Sequence, residues 1–125
     1  MRLLLDTHAL LGWLADEGLS ARARDAIADP DNVVTVSAAS AWEISIKKAL
    51  GKLAAPDDLE EQVRAAGGFT LLPITIAHAM AAGRLARHHD DPFGRMLVAQ
   101  ALAEGLTLVT RDRRFDEYGV ARLPA

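Results

Sequence analysis

The 125-residue sequence contains no cysteine, which excludes disulfide bonds and thiolate metal sites. The first residues also lack the long apolar run of a signal peptide, because Asp6 and His8 interrupt it. Nowhere do about 18 apolar residues follow one another, so we expect no transmembrane helix and no membrane partner. These absences together favour a cytoplasmic protein.

Aromatic residues are also scarce, at 5% of the chain, whereas 50% of all residues are apolar. Leu, Ala and Val supply most of the apolar content, which favours helices packed on a sheet over an all-β sandwich. The net charge of −3 does not indicate a general nucleic-acid binder, although a local basic patch beside an acidic cluster would still bind RNA. The length predicts a single domain over residues 1–125.

Short apolar or β-branched runs alternate with longer segments of helical spacing. The runs predict strands, with the last one at a sheet edge, over residues 3–5, 33–36, 69–74, 106–110 and 120–123. Helices are predicted over residues 8–14, 20–28, 37–50, 56–67, 75–87 and 93–104. Strands that alternate with helices indicate βαβ units, and therefore an α/β fold with a mainly parallel sheet covered on both faces.

Three acidic residues stand out from this pattern. Asp6 directly follows the first strand, and Asp112 lies two residues after Thr110, at the end of the fourth. Functional groups of open α/β sheets collect outside the carboxyl ends of the strands, so both point toward one edge if these strands are neighbours. Glu43 lies in an otherwise uncharged helical stretch. Each also has a simpler interpretation: Asp6 as a helix cap, Asp112 as a turn former, and Glu43 as a residue facing water.

Carboxylates that converge on one point repel each other and raise one another's pKa. A hard divalent cation removes that penalty, and Mg²⁺ or Mn²⁺ favours oxygen ligands together with bound water. Such a cation activates water and stabilises the charge of a phosphate under attack. Phosphodiester hydrolysis is the reaction that best matches such a site.

Four segments of the sequence are informative when they are taken together. They are Leu4-Leu5-Asp6-Thr7-His8-Ala9-Leu10-Leu11, Ser37-Ala38-Ala39-Ser40-Ala41-Trp42-Glu43-Ile44, His88-His89-Asp90-Asp91-Pro92-Phe93-Gly94-Arg95 and Val109-Thr110-Arg111-Asp112. They resemble the PIN domain, and within it the branch that includes VapC-type toxins of type II toxin–antitoxin systems. The segments are loose motifs singly but occur in the order of that family, and the resemblance extends from Leu3 to about Tyr118.

The resemblance implies a Rossmann-like α/β/α sandwich and a Mg²⁺- or Mn²⁺-dependent endoribonuclease. It implies that Asp6, Glu43 and Asp112 are the catalytic carboxylates that hold the metal. It also implies an antitoxin protein that blocks the site, and a homodimer.

At position 94 the sequence departs from the family. The usual pattern is Asp-Pro-Phe-Asp-Arg, whereas this chain has Gly94 where the third acidic residue normally falls. The glycine is either an introduced inactivating change or natural decay, or Asp91 supplies the missing carboxylate from one helical turn earlier. Pro92 argues against such compensation, because it favours an extended conformation at Asp91. We therefore expect weak metal binding and weak RNA cleavage, both restored by Gly94→Asp.

Several neighbours of the acidic residues are candidates for supporting roles. Thr7 and Thr110 are predicted to orient carboxylates or metal-bound water through their hydroxyls, or else are ordinary strand-end threonines. The candidates for RNA phosphate contact are basic: Arg95, Arg111, Arg113 and Arg114.

The adjacent His88 and His89 invite a metal-site interpretation. Neighbouring histidines usually point apart, however, and no further close ligand completes a tetrahedral set, so a polar loop is the simpler interpretation. The leading hypothesis is thus a metal-dependent endoribonuclease toxin impaired by Gly94. The alternative is a catalytically silent domain that binds only RNA or the antitoxin.

Overall fold

The computed structural model describes all residues from Met1 to Ala125. Five strands form one sheet, and each neighbouring pair is parallel, with the order β3-β2-β1-β4-β5. The strands are β1 (Arg2–Leu5), β2 (Val33–Ser37), β3 (Phe69–Leu72), β4 (Thr107–Val109) and β5 (Arg122–Leu123). The helices are α1 (Thr7–Ala15), α2 (Ala21–Ala28), α3 (Ala38–Ala49), α4 (Leu59–Ala65), α5 (Ile76–Arg84), α6 (Pro92–Glu104) and a 3₁₀ helix (Arg113–Tyr118).

Helices cover both faces of the sheet because successive side chains of β1 point to opposite sides. Leu3 and Leu5 pack in one apolar cluster with residues of α1, α2, α3 and α4. Leu4 packs in the other cluster, mainly with residues of α6 and with Phe115 of the 3₁₀ helix. This three-layer arrangement confirms the predicted α/β/α sandwich with a parallel sheet.

The strand order, which the sequence did not predict, places β1 between β2 and β4. Leu5 of β1 is level with Val36 on one side and with Val109 on the other. The chain builds outward from β1 to β3 and then returns to the opposite side of β1, so the direction of winding reverses between β1 and β4. Ligands of parallel sheets bind at such a reversal, outside the carboxyl ends of the strands.

The helix predicted over residues 75–87 ends earlier than expected. The structure ends it at Arg84, and Leu85 is extended, with ψ of 146°. The guanidinium of Arg95 accounts for this end, because its Nη2 atom donates to the carbonyl oxygens of Ala82 and Leu85. None of the helices combines the length and apolar composition that crossing a bilayer requires.

Candidate active site

Asp6 and Thr110 lie side by side, at the carboxyl ends of β1 and β4. The backbone N–H of Asp6 donates to the carbonyl of Val109 at 3.1 Å, which extends the pairing of the two strands by one residue. The Thr110 hydroxyl lies close enough to Asp6 to lower the pKa of its carboxyl. The same hydroxyl oxygen accepts the backbone N–H of Asp112 at 3.1 Å. Thr110 therefore links two of the predicted acidic residues, an arrangement that suits its predicted orienting role.

The carboxylate of Asp6 is buried and caps the N-terminus of α1. Its Oδ1 atom accepts the backbone N–H of Ala9 at 2.7 Å. Burial raises the pKa of Asp6 above its usual value, while the bonds from Thr110 and Ala9 partly offset that rise. The negative charge of Glu43 raises the pKa further, so these two carboxylates lie within electrostatic range of each other. A helix cap does not require an aspartate whose charge is destabilised by burial, so capping of α1 does not by itself account for Asp6.

Glu43 faces inward, and its side chain is only 9% exposed. The alternative that it faces water is therefore wrong. The Thr7 hydroxyl donates to its Oε1 atom at 2.5 Å, and Lys47 Nζ donates to its Oε2 atom at 2.5 Å. Lys47 is one helical turn further along α3, and the bond to Glu43 raises the pKa of its ammonium group. A pair of specific donors thus fixes this carboxylate and offsets the cost of its burial.

Asp112 caps the 3₁₀ helix and lies between two side-chain donors. Its carboxylate accepts the backbone N–H of Arg114 at 3.0 Å and the Arg114 guanidinium at 2.7 Å. On the other side, the imidazole Nε2 of His89 lies 3.2 Å from Oδ2. The bonds from Arg114 are the main reason that the pKa of Asp112 lies well below its usual range. This carboxylate therefore remains charged at neutral pH.

Asp91 and Gly94 lie at the start of α6. Asp91 is extended, with ψ of 115°, as Pro92 predicts, and its Oδ1 atom caps the helix by accepting the backbone N–H of Phe93 at 3.1 Å. Its Oδ2 atom lies 3.5 Å from the point where a Cβ atom on Gly94 would be. The extended conformation of Asp91 therefore still brings its carboxylate beside the missing side chain.

Asp91 also shares the surroundings of the other acids. Its charge raises the pKa of Lys47, the partner of Glu43, and that of Arg114, the partner of Asp112. The four predicted carboxylates, Asp6, Glu43, Asp91 and Asp112, are thus linked by electrostatic effects and by shared hydrogen-bond partners.

No three carboxylate or imidazole groups are arranged to ligate a single ion. Lys47 pairs with Glu43 and Arg114 pairs with Asp112, so each of these two carboxylates already has a cationic partner. The donor chemistry nevertheless suits a hard divalent cation, since the acids offer oxygen atoms only. The hydroxyl of Ser40, fully buried one turn before Glu43, has no hydrogen-bond partner. The metal set Asp6, Glu43 and Asp112 stays a prediction.

The four candidate RNA-binding arginines differ in their surroundings. Arg95 donates to backbone carbonyls at the end of α5 and in the segment that leads to α6, and Arg111 donates to the carbonyl of Gly18 at 2.6 Å. Arg114 pairs with Asp112, whereas Arg113 is exposed and its side chain makes no hydrogen bond. Arg113 is thus the member of the set with a free guanidinium, and RNA contact by all four stays a prediction.

Sequence reasoning missed the place of His89. It is buried, bonds Asp112 and stacks on Phe115, with ring centroids 5.1 Å apart and an angle of 14° between the planes. A signal was present, because a histidine two residues before a helix-capping aspartate can accept that residue's backbone N–H. His88 points elsewhere and pairs with Glu117 at 3.0 Å, as expected for adjacent histidines.

The family model of the PIN domain matches residues 3–121. The chain belongs to the PIN-domain family. It is 33% identical over 123 residues to Ribonuclease VapC22 of Mycobacterium tuberculosis, and the match covers 92% of this chain and 90% of that protein. The resemblance inferred from the four sequence motifs, to PIN domains and within them to VapC-type ribonuclease toxins, is thereby confirmed.

Solved structures of toxin–antitoxin complexes share the PIN-domain fold. The VapBC2 complex of Rickettsia felis bound to a promoter DNA fragment superposes with a TM-score of 0.73 at 14% identity, covering 98% of both chains. The DNA-bound VapBC complex of Salmonella typhimurium gives a TM-score of 0.71 at 20% identity, covering 98% of this chain and 97% of that one. At these identities the likeness establishes the fold alone.

Proposed function

We propose that this PIN domain is the toxin of a toxin–antitoxin pair and cleaves RNA phosphodiester bonds with the help of Mg²⁺ or Mn²⁺. The observation that carries the proposal is the placement of Asp6 and Asp112 just beyond the ends of β1 and β4, where the winding of the sheet reverses. The charge of Glu43 acts on Asp6 there, and that of Asp91 acts on Arg114, the partner of Asp112. The similarity to a VapC ribonuclease over nine-tenths of the chain supports the same activity.

In this proposal Asp6, Glu43 and Asp112 hold the metal, and Asp91 is a candidate fourth ligand. A bound divalent cation supplies an activated water and stabilises the negative charge that develops on the phosphate. Thr7 fixes one oxygen of Glu43, and the hydroxyl of Thr110 stabilises the charged carboxylate of Asp6. The cations Lys47 and Arg114, once released from their carboxylates, are free to pair with RNA phosphates beside Arg113.

The same proposal includes an impaired site. Position 94 is the third residue of α6, where a carboxylate would lie beside that of Asp91 and near the positive end of the helix dipole. Glycine offers no ligand there. The Oδ2 atom of Asp91 lies close enough to substitute in part, although its Oδ1 atom is already engaged in capping α6.

The test is cleavage of end-labelled RNA in Mg²⁺ or Mn²⁺ and in EDTA, by the unsubstituted chain and by Gly94→Asp. We expect weak cleavage by the unsubstituted chain, an increase of at least about tenfold in the variant, and none in EDTA. Gly94→Asp combined with Asp112→Asn is the matched negative control. Cleavage that EDTA does not reduce, or that Asp112→Asn leaves intact, would refute the proposal.

The alternative function is a catalytically silent domain that binds RNA or the antitoxin. The ion pairs of Lys47 with Glu43 and of Arg114 with Asp112 favour it, because they neutralise two of the acids without a metal. If Gly94→Asp cleaves no RNA in any metal but the unsubstituted chain shifts RNA in a salt-dependent binding assay, this alternative is correct.

Two partners complete the proposal. Because the structural neighbours are toxin–antitoxin complexes, we propose a cognate antitoxin, to be sought as a short reading frame beside the gene and tested by co-purification.

We also propose a homodimer in the cytoplasm. Ile76 and Met80 form an exposed apolar pair one turn apart on α5, at 83% and 58% exposure, and are candidates for a subunit interface. Light scattering on the chain and on Ile76→Glu tests the dimer.

A further inference from the structure

His89 lies between two parts of the candidate site that come from distant parts of the chain. It belongs to the segment that joins α5 to α6, and its side chain is only 6% exposed. Its Nδ1 atom accepts the backbone N–H of Asp91 at 3.0 Å. Its Nε2 atom lies 3.2 Å from Oδ2 of Asp112, and its ring stacks on Phe115. One buried ring therefore contacts both acidic segments.

The contacts of the ring determine which nitrogen carries the proton. A backbone N–H can only donate, so the Nδ1 atom that accepts it from Asp91 must have a free lone pair. The proton of the neutral imidazole is then on Nε2, which points at the Asp112 carboxylate. His89 is therefore a donor to Asp112 and an acceptor from Asp91 at the same time.

We propose that His89 is a positioning residue, which fixes the Asp112 carboxylate relative to Asp91 and to the start of α6. This inference rests on the proposed function, in which Asp112 is a metal ligand. Arg114, the other side-chain donor to Asp112, is 64% exposed and free to leave the carboxylate when RNA or metal binds. The buried His89 donor remains. Groups that orient a metal ligand in this way typically change metal affinity by about 10–100-fold when they are replaced.

Two substitutions separate the two hydrogen bonds of the ring. In His89→Gln the side-chain NH₂ takes the place of Nε2 and keeps a donor for Asp112. In His89→Asn the side-chain oxygen takes the place of Nδ1 and keeps an acceptor for the Asp91 N–H, but Asp112 loses its donor. Both variants lose the stacking on Phe115, so a purely structural role predicts equal effects. A positioning role predicts that only His89→Asn is strongly impaired.

The first measurement is independent of metal and of activity. In ¹H–¹⁵N spectra of the metal-free protein, the backbone N–H and Nε–H signals of Arg114 report on the Asp112 carboxylate, because both groups donate to it. We expect these signals to shift in His89→Asn and to stay near their original positions in His89→Gln. Long-range imidazole spectra of the unsubstituted chain should show the proton on Nε2, and a proton on Nδ1 would overturn the proposal without any variant.

The second measurement is Mn²⁺ calorimetry on the same two substitutions in the Gly94→Asp chain. We expect His89→Asn to lose about 10–100-fold in affinity and His89→Gln to stay within about threefold. Equal losses in the two variants, together with equal shifts of the Arg114 signals, would show a packing role only. If the Gly94→Asp chain binds no Mn²⁺ and cleaves no RNA, the proposed function fails, and the Arg114 signals alone then decide whether His89 orients Asp112.

Discussion

The ring of Phe115 occupies the space into which a side chain at position 94 would project. A Cβ atom built on Gly94 would lie 2.9 Å from Cζ and 3.1 Å from Cε1 of that ring. Distances this short require the ring to move. Phe115 is buried and stacks on His89, which in turn bonds Asp112. Phe115 and His89 therefore connect position 94 to Asp112, a predicted metal ligand, and a side chain at position 94 is expected to affect where Asp112 lies.

The first prediction concerns Gly94→Ala, which adds the Cβ atom without a carboxylate. Replacing a helical glycine by alanine normally stabilises a protein by about 0.5–1 kcal/mol. Here we expect a net loss of about 1 kcal/mol, because the contact with Phe115 adds an overpacking cost of about 1–3 kcal/mol. With Phe115→Leu already present, the same substitution should stabilise the protein. Chemical denaturation of the four chains gives the coupling between the two positions.

Whether Gly94→Ala stabilises or destabilises the protein decides whether the Phe115 ring restricts position 94. A gain of stability in the presence of Phe115 would mean that the ring moves aside at no cost. The same cycle applies to Gly94→Asp, whose gain in RNA cleavage should come with a lower free energy of unfolding. We expect that loss to be smaller when Phe115→Leu accompanies it.

The sequence predicted the elements of this site but not their contacts. Leu3–Leu5 as a buried strand and Asp6 at its carboxyl end follow from apolar runs and strand-end placement, and the structure confirms both. The position of β1 between β2 and β4 depends on long-range packing, which local patterns do not encode. The roles of His89 and Phe115 depend on side-chain geometry across two segments, and no spacing in the sequence reports it.

The second prediction separates the charge of Glu43 from its shape. Glu43→Gln keeps an oxygen that accepts from Thr7 but loses the ion pair with Lys47, which is 39% exposed and can turn to solvent. The fold should therefore lose only about 1–2 kcal/mol. The loss of a negative charge should nevertheless lower Mn²⁺ affinity in the Gly94→Asp chain by at least about tenfold, as measured by calorimetry. Glu61→Gln, on the outer surface of α4, is the control and should leave the affinity unchanged. Unchanged affinity in Glu43→Gln would remove Glu43 from the metal site.

The third prediction concerns the pH dependence of stability at Asp6. Burial raises the pKa of the Asp6 carboxyl in the folded state above its pKa in the unfolded chain. Above the folded-state pKa the buried charge therefore destabilises the fold, and this destabilisation is lost as pH falls toward the pKa of the unfolded chain. Asparagine caps a helix about as well as aspartate does, so the substitution Asp6→Asn keeps the cap and removes the charge. It should therefore raise Tm at pH 7 by about 2–8 °C, the usual range for a stabilising change of this size, and the gain should shrink toward pH 4.

Asp112→Asn is the matched comparison, and we expect its effect on Tm to have the opposite sign. In the unsubstituted chain, the bonds from Arg114 lower the pKa of Asp112 in the folded state. The stabilisation that they give is therefore complete above the pKa of the unfolded chain and is lost only in stronger acid. We expect Asp112→Asn to lower Tm slightly and by a constant amount between pH 7 and 5. Scanning calorimetry across this range, extended to pH 4 for Asp6→Asn, measures both variants. If Asp6→Asn raises Tm by the same amount at pH 7 and at pH 4, then burial of the Asp6 charge is not the cause of the gain.

The fourth prediction distinguishes a structural arginine from one that is available to RNA. The Arg95 guanidinium donates to four backbone carbonyls, at the end of α5 and in the segment that carries His89. Arg95→Ala leaves these acceptors without their charged donor and should cost about 2–4 kcal/mol in the free energy of unfolding. Arg95→Lys should recover only part of this loss, because one ammonium group cannot reproduce the planar fork. Urea denaturation measures both effects.

Arg113→Ala is the contrasting variant, because the Arg113 side chain is exposed and makes no hydrogen bond. Its free energy of unfolding should change by less than about 0.5 kcal/mol. Its RNA affinity should fall, and the slope of log affinity against log salt should decrease in magnitude by about 0.7–0.9, as expected for one lost phosphate contact. Arg95→Gln, which removes the charge but keeps a side-chain NH₂ donor, should leave this slope unchanged when it is measured on the folded protein. If it reduces the slope as much as Arg113→Ala does, then Arg95 contacts RNA directly, as its position beside Gly94 first suggested.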